Sequence, residues 1–289
     1  MDKTLTQELI AELSQRFNLP YHVYQASLCQ ELVGFQGKDV LEVGGSLPSE
    51  LVFEYFGVRR WTSVETPDYG SSIGGITHTG TLIGNDSVKH RTFQDPLPRD
   101  DYNFFYDDII NLPNDLERRF DLVFSLAAFE HIHRLPQALE RMYAALKPGG
   151  KLFSYFSPIW SSFHGHHLPD MTDEAGRFYN FNNSPIPPWG HLLMTRPEML
   201  AFLKGHTDVR TAENMVYYIY NANNINRFFF EDYLEFVKAT PFVIEMFDPI
   251  IPLNQYPEEY RTVLEERFPK RKVFDKDGIL MVLKRPDLI

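Results

Sequence analysis

The apolar positions of this chain follow two periods. Thr6–Phe17 places Leu9, Ile10, Leu13 and Phe17 on one face, which predicts a helix. A second helix is predicted over His22–Phe35, closing on Gly37. Short continuous apolar runs follow, each ending abruptly in small or polar residues. Such runs read as strands buried on both faces of a parallel sheet. They are Val40–Val43, Trp61–Glu65, Asn103–Tyr106, Phe120–Ser125 and Leu152–Phe156. Between them Pro48–Phe56 reads as a helix with Ser46 or Ser49 as its cap, and Pro136–Leu146 as a helix stopped by the Lys147–Gly150 turn. Arg196–Lys204 is a predicted helix ended by Gly205, and Met215–Tyr220 and Ile279–Leu283 read as the last two strands. Strands linked by helices predict an α/β fold with a doubly wound, mostly parallel sheet.

The whole chain, 1–289, reads as one domain in five parts: N-terminal helices (1–36), a core (37–220) with an inserted loop (69–101), a cap insertion (221–277) and a final strand (278–289). The inserted loop is rich in Gly, Ser and Thr. The 221–277 segment carries apolar helical patterns, Asn226–Val237 and Glu258–Phe268, broken by prolines. It is too aromatic to be disordered and reads as a cap that shapes a pocket over the strand ends.

Composition narrows the function classes. Of 289 residues, 43% are hydrophobic and 23% charged, as in a globular protein. Cys29 is the single cysteine, so no internal disulfide forms, which suits a cytoplasmic location. The amphipathic, acidic N-terminus lacks the apolar core of a signal peptide. No apolar run approaches the ~20 residues of a membrane span. A net charge of −11 argues against sequence-independent nucleic-acid binding, which needs a basic face. The expected partner is a small-molecule substrate, with no nucleic acid and no membrane; oligomeric state is not legible. The 24 Phe and 15 Tyr read first as core and second as the lining of an apolar pocket.

In an open α/β sheet, ligands sit beyond the carboxyl ends of the strands. Lys38–Pro48 and Phe120–His131 therefore mark a ligand site. In the first, Glu42 precedes a turn of Gly44, Gly45 and Ser46, where glycine lets the backbone approach a ligand closely. The same turn also serves a strand–helix junction with no ligand. Glu65 ends the second strand about twenty residues beyond Gly44, where an acid accepts from ribose hydroxyls or is simply solvated. The G-x-G-x-x-G of dinucleotide enzymes is absent.

Lys38–Pro48 resembles motif I of class I S-adenosylmethionine-dependent methyltransferases, and Phe120–His131 resembles their motif IV. The likeness is to the small-molecule branch known as methyltransferase 11. It extends through Phe104–Pro113, Phe129–Ile132, Leu146–Phe153 and His191–Leu200. Ser46 stands where the family has its third glycine. The resemblance implies a Rossmann-like, seven-stranded fold with a helical, aromatic cap, and S-adenosylmethionine as cofactor, leaving as S-adenosylhomocysteine. It implies Glu42, Gly44, Gly45 and Ser46 at the cofactor, and Glu65 on its ribose. Asp108, or the adjacent Asp107, would take the adenine amino group, with Ile109 against the ring. Ser125 and Leu126 would line the methionine end.

The fourth strand lacks the Asn/Asp-Pro-Pro-Tyr/Phe signature of enzymes that methylate amide or base nitrogens. Small-molecule oxygen, nitrogen or carbon acceptors remain, with O-methylation favoured. Histidine is the candidate base, since its ordinary pKa lies near 6.5. His131 and His133 follow the fourth strand; His164, His166 and His167 follow the fifth. A substrate-pocket or base role leads, structural hydrogen bonding comes second, and a metal held by His164, His166 and His167 is possible but not favoured. The expected function is methyl transfer, with one of these histidines as base or acceptor-orienting group. The alternatives are a non-methylating enzyme on the same fold using bound cofactor and a non-catalytic binding or regulatory subunit.

Overall fold

The structure, a computed structural model, describes residues 5–45, 47–66, 92–95, 101–253 and 258–287. Ser46 and nearly all of the 69–101 loop lie outside the described residues. The chain begins with two helices, α1 (Gln7–Arg16) and α2 (His22–Leu32). The strands β1 (Asp39–Val43), β2 (Arg60–Glu65), β3 (Tyr102–Tyr106) and β4 (Phe120–Leu126) follow. After α3 (Leu135–Ala145) comes the long β5 (Leu146–Phe156). The last part holds α4 (Arg196–Lys204), α5 (Val209–Tyr220), α6 (Phe230–Lys238), β6 (Val243–Ile250), α7 (Glu258–Arg267) and β7 (Gly278–Lys284).

The sheet order is β3-β2-β1-β4-β5-β7-β6. Strands β1 to β5 pair in parallel, and β7 runs antiparallel between β5 and β6. The carboxyl ends of β1, β2, β4 and β5 thus open on the same edge of the sheet. The expected doubly wound, mostly parallel, seven-stranded sheet is present. Among the described residues no helix is long and apolar enough to cross a membrane.

One of the seven strands is not where the sequence puts it. Met215–Tyr220 is the end of helix α5, and the sixth strand is Val243–Ile250. The buried residues of α5 are Thr211, Ala212, Met215 and Ile219, a helical spacing. Asp208 caps it, with Oδ1 accepting from Thr211 N at 2.9 Å. Of the aromatics that suggested a strand, Tyr217 is 56% exposed and lies off the buried face. Conversely, β6 is an edge strand containing Pro249, and Val243 and Ile244 are exposed. An edge tolerates proline because one side of its backbone has no partner strand. The 221–277 segment thus supplies a strand of the main sheet as well as covering residues. Pro48–Phe56 also differs, forming only a π-helical turn, Leu51–Tyr55, closed by Phe56 N to Leu51 O at 3.2 Å.

Three apolar clusters hold the layers. On one face of the sheet Leu135, Ala138, Leu139 and Met142 of α3, with Tyr233 and Val237 of α6, cover Leu41, Val123, Leu152 and Met281. On the other, Leu13, Val23, Ala26 and Cys29 of α1 and α2 cover Val40, Trp61, Phe124 and Phe153. Burying each large apolar side chain contributes roughly 1.5–3 kcal/mol. This second cluster fixes α2, whose amino end borders the site. The third cluster joins Met199 and Leu203 of α4 and Met215 and Ile219 of α5 to Trp160, Leu168, Leu264 and Phe274. It builds a separate layer beyond β5.

Candidate active site

A cavity of about 1160 Å3 lies at the carboxyl ends of the strands. That exceeds the ~300–1,000 Å3 of ordinary small-molecule pockets and leaves room for two ligands side by side. Its walls come from α2, the turns after β1, β2, β3, β4 and β5, and the end of α5.

The turn after β1 is tightly constrained. Gly44 has φ +86°, and a Cβ on it would stand 2.1 Å from Ala128 Cβ, so only glycine fits where the turns after β1 and β4 touch. Gly44 lines the cavity; Gly45, at φ +145°, does not. Glu42 faces inward. Its Oε2 accepts from Leu47 N at 2.9 Å, Trp61 Nε1 at 2.8 Å and Ser63 Oγ at 3.0 Å. It pins the turn from below and does not border the cavity. Because Glu42 is in register with Ser63, Glu65 lies two residues further along the same face. There it reaches the cavity wall. Its Oε1 accepts from Thr66 N at 2.7 Å, and its other oxygen has no partner among the described residues. Burial pushes both Glu42 and Glu65 up to about 7.

The turn after β3 supplies two acids with different tasks. Asp107 accepts from Asp108 N, Asn111 Nδ2 and Phe93 N. Asp108 takes Ile110 N on Oδ1 at 3.0 Å and the Arg134 guanidinium on Oδ2 at 2.9 Å. Both border the cavity with Ile109 and, after β4, Leu126. Ser125 does not. It is fully buried and donates to Val43 O at 2.7 Å, tying β4 to β1.

The histidines separate. His131 Nδ1 donates to the Asn224 carbonyl, and His133 Nε2 donates to the Asn223 carbonyl at 2.9 Å. A carbonyl only accepts, so the neutral His131 ring carries its lone pair at Nε2. His167 meets the His131 ring edge-on at 4.7 Å and stacks on Phe181. His164 stands 3.3 Å from Asp277. Burial holds His164 down at about 4 and Asp277 up at about 6, so at neutral pH this is a neutral imidazole beside a carboxylate rather than an ion pair. His166 is absent from the cavity wall; it is buried, accepts from Leu168 N at Nδ1, and packs near His191. Thus four of the five candidates reach the cavity, and His166 does not. Among the described residues no three His, Cys, Asp or Glu side chains gather as a metal cluster.

Two features escaped sequence reading. Glu130 is 1% exposed, borders the cavity, and is pushed up to about 8 by burial. A carboxyl whose folded pKa lies above its ordinary 4.5 stabilises the fold at low pH, and that contribution fades as pH climbs toward 8. The Tm advantage of Glu130→Gln over the wild type is therefore expected to open between pH ~4.5 and ~8. Parallel melting curves across that range check this; a constant gap would contradict it. The second feature is the run Asn221–Asn226. Beyond the two carbonyls above, Asn226 Nδ2 donates to Phe129 O at 2.6 Å, Asn226 N to Glu130 O at 2.8 Å, and Tyr233 OH to Asn226 Oδ1 at 2.9 Å. This segment clasps the turn after β4.

Residues 75–152, spanning the segment that leads into β3 through the start of β5, match a family model described as "Methyltransferase domain". The match falls on a sheet ordered 3-2-1-4-5-7-6 with an antiparallel seventh strand. Over those residues the chain is similar to methyltransferase domains. Among relatives of this chain is the ubiquinone biosynthesis O-methyltransferase of Coxiella burnetii, 28% identical over 59% of this chain and 63% of that protein. The chain thus spans less than two thirds of the length of the curated relatives it matches. Among solved structures, an S-adenosylmethionine-dependent methyltransferase from Mesorhizobium loti is 15% identical, covering 90% of this chain and 96% of that one, with a TM-score of 0.39. The Haemonchus contortus phosphoethanolamine N-methyltransferase 2 is 13% identical, covering 92% of this chain and 52% of that one, with a TM-score of 0.46. In this chain two observations fit an S-adenosylmethionine cofactor. Gly44 brings the close-packed turn after β1 to the cavity wall, and Glu65 presents a buried carboxyl to that wall.

Proposed function

We propose that this protein transfers a methyl group from S-adenosylmethionine to a hydroxyl of a small molecule. The observation that carries this reading is the cavity at the strand ends, whose wall includes Gly44, Glu65 and His131. Gly44 and Leu126 hold the amino-acid end of the cofactor, with Glu42 positioning the turn and Gly45 completing it. Glu65 accepts from the ribose hydroxyls, as a strand-end acid does in nucleotide folds. Asp108 and Ile109 bracket the adenine, with Asp107 fixing their turn. Ser125 supports this wall through its bond to Val43. The relatives that methylate oxygen, by their name, favour oxygen as the acceptor atom here.

The bound cofactor supplies a methyl already activated on a sulfonium. The chain's own work is alignment and proton removal. His131 would take the proton of the acceptor hydroxyl at Nε2 as the cofactor gives up its methyl and leaves as S-adenosylhomocysteine. The Asn224 carbonyl holds the ring and favours the proton it already carries at Nδ1. His133, His164 and His167 shape and polarise the acceptor wall.

Glu65→Ala is expected to weaken S-adenosylmethionine binding by about 1–3 kcal/mol, since a paired carboxylate acceptor is lost. Titration calorimetry reads this directly, and unchanged affinity would remove Glu65 from the cofactor site. Transfer of a labelled methyl to a hydroxylated acceptor tests the reaction itself.

A further inference from the structure

One group in the cavity has no task in the scheme above. Glu130 is almost fully buried at 1% exposure, and it borders the cavity. Backbone amides of Glu130 and Ser157 donate to its carboxyl, yet Oε2 has no hydrogen-bond partner among the described residues. An unpartnered buried carboxyl oxygen is costly to keep, at roughly 1–3 kcal/mol. Its turn is held by the Asn226 bonds to Phe129, Glu130 and Ile132, so the carboxyl cannot swing out to water without breaking that clasp. Its neighbour in sequence is His131, the proposed base.

The surrounding wall has a definite character. Tyr21, Tyr155, Phe181, Tyr217 and Tyr218 border the cavity, a set of rings suited to a planar aromatic ligand. Three acids, Glu130, Asp170 and Asp277, also border the cavity. Among the described residues the only Lys or Arg on the wall is Arg134, and its guanidinium is engaged by Asp108 at 2.9 Å. His164 is held neutral by burial. A carboxylate or phosphate brought here would meet the carboxyls of Asp170 and Asp277 and no open arginine or lysine.

We propose that Glu130 is an acceptor-binding residue, whose unpartnered carboxyl oxygen pairs with a hydroxyl of an uncharged aromatic diol while the neighbouring hydroxyl faces His131. The same wall turns away acceptors that carry a carboxylate. This rests on the methyl-transfer reading for the role of His131. The pairing itself is a binding property and is measurable without turnover. Burial raises the Glu130 pKa to about 8, which keeps the group neutral at pH 7 and able to donate as well as accept.

The test uses the full chain saturated with S-adenosylhomocysteine, titrated calorimetrically with 4-methylcatechol and with 3,4-dihydroxybenzoate, two probes that differ by a carboxylate. Wild type is expected to bind 4-methylcatechol at least about tenfold more tightly than the benzoate. Glu130→Ala should weaken the catechol about tenfold, the effect of losing one hydrogen bond to a buried carboxyl. Affinity for S-adenosylhomocysteine should stay constant and reports that the variant is folded. Should the alanine variant misfold, the near-isosteric Glu130→Gln carries the test, with a catechol affinity between the two. Equal or tighter binding of the benzoate, no binding of the catechol, or unchanged catechol affinity in these variants overturns the proposal. Methyl transfer is scored separately with labelled cofactor. Catechol bound through Glu130 but never methylated overturns the methyl-transfer reading and leaves the binding assignment standing. Methylation of another acceptor with no Glu130 effect does the reverse.

Discussion

Replacing His131 with alanine is expected to slow methyl transfer by about 10²–10⁴-fold, the usual loss on removing a general base. The expectation rests on the ring's setting. Its Nδ1 is committed to the Asn224 carbonyl, so the lone pair stands at Nε2 on a ring that borders the cavity. Cofactor affinity should change little, because Gly44, Glu65 and Asp108 lie on other turns. Single-turnover rates with labelled cofactor, together with calorimetry, separate the two effects. Full turnover in His131→Ala would make this histidine a packing residue and shift the base role to another cavity histidine.

The largest expected loss of stability follows Glu42→Ala. One carboxylate oxygen takes three donors, the Leu47 amide, the Trp61 indole and the Ser63 hydroxyl. Each donor left unsatisfied in the interior costs about 1–3 kcal/mol, against which removal of a buried acid returns part. A net loss of about 3–5 kcal/mol, or a fall in Tm on the order of 10 °C, is expected. Glu42→Gln should be intermediate, since its oxygen still accepts while its amide nitrogen brings hydrogens among donors. Thermal melting followed by circular dichroism measures both; a shift under 2 °C in the alanine variant would mean that water replaces the carboxylate.

The strand ends were legible because buried parallel strands leave continuous apolar runs, and five of them fall where the pattern puts them. The turn glycine Gly44 and the acid Glu65 were legible for the same reason: both sit where a run stops. Depth was not. Glu42 and Glu65 share one face of the sheet, but Glu42 lies beneath the turn that follows β1, whereas Glu65 lies at its rim. A linear pattern assigns both to the ligand; only packing separates the pillar from the contact. The helix α5 was misread because Met215–Tyr220 is rich in aromatic and β-branched residues, and its helical spacing emerges only when Thr211 and Ala212 are included. The edge strand β6 was hidden by Pro249 and by its exposed apolar residues. The five histidines sit in two short loops, and spacing alone cannot tell which ring turns into the protein. His166 does, because its Nδ1 takes the Leu168 amide.

The asparagine run after α5 has a consequence for how this site tolerates change. It grips His131 and His133 with main-chain oxygens, those of Asn224 and Asn223, and every residue type carries such an oxygen. Exchanging the side chain at position 223 therefore leaves its grip in place. Deleting one residue is another matter. It drags the oxygens along the chain by roughly 3.3–3.6 Å, further than a hydrogen bond can stretch. The orientation of the two imidazoles is thus written in the length of this segment more than in its spelling, so drift in letters should be far better tolerated there than a single insertion or deletion.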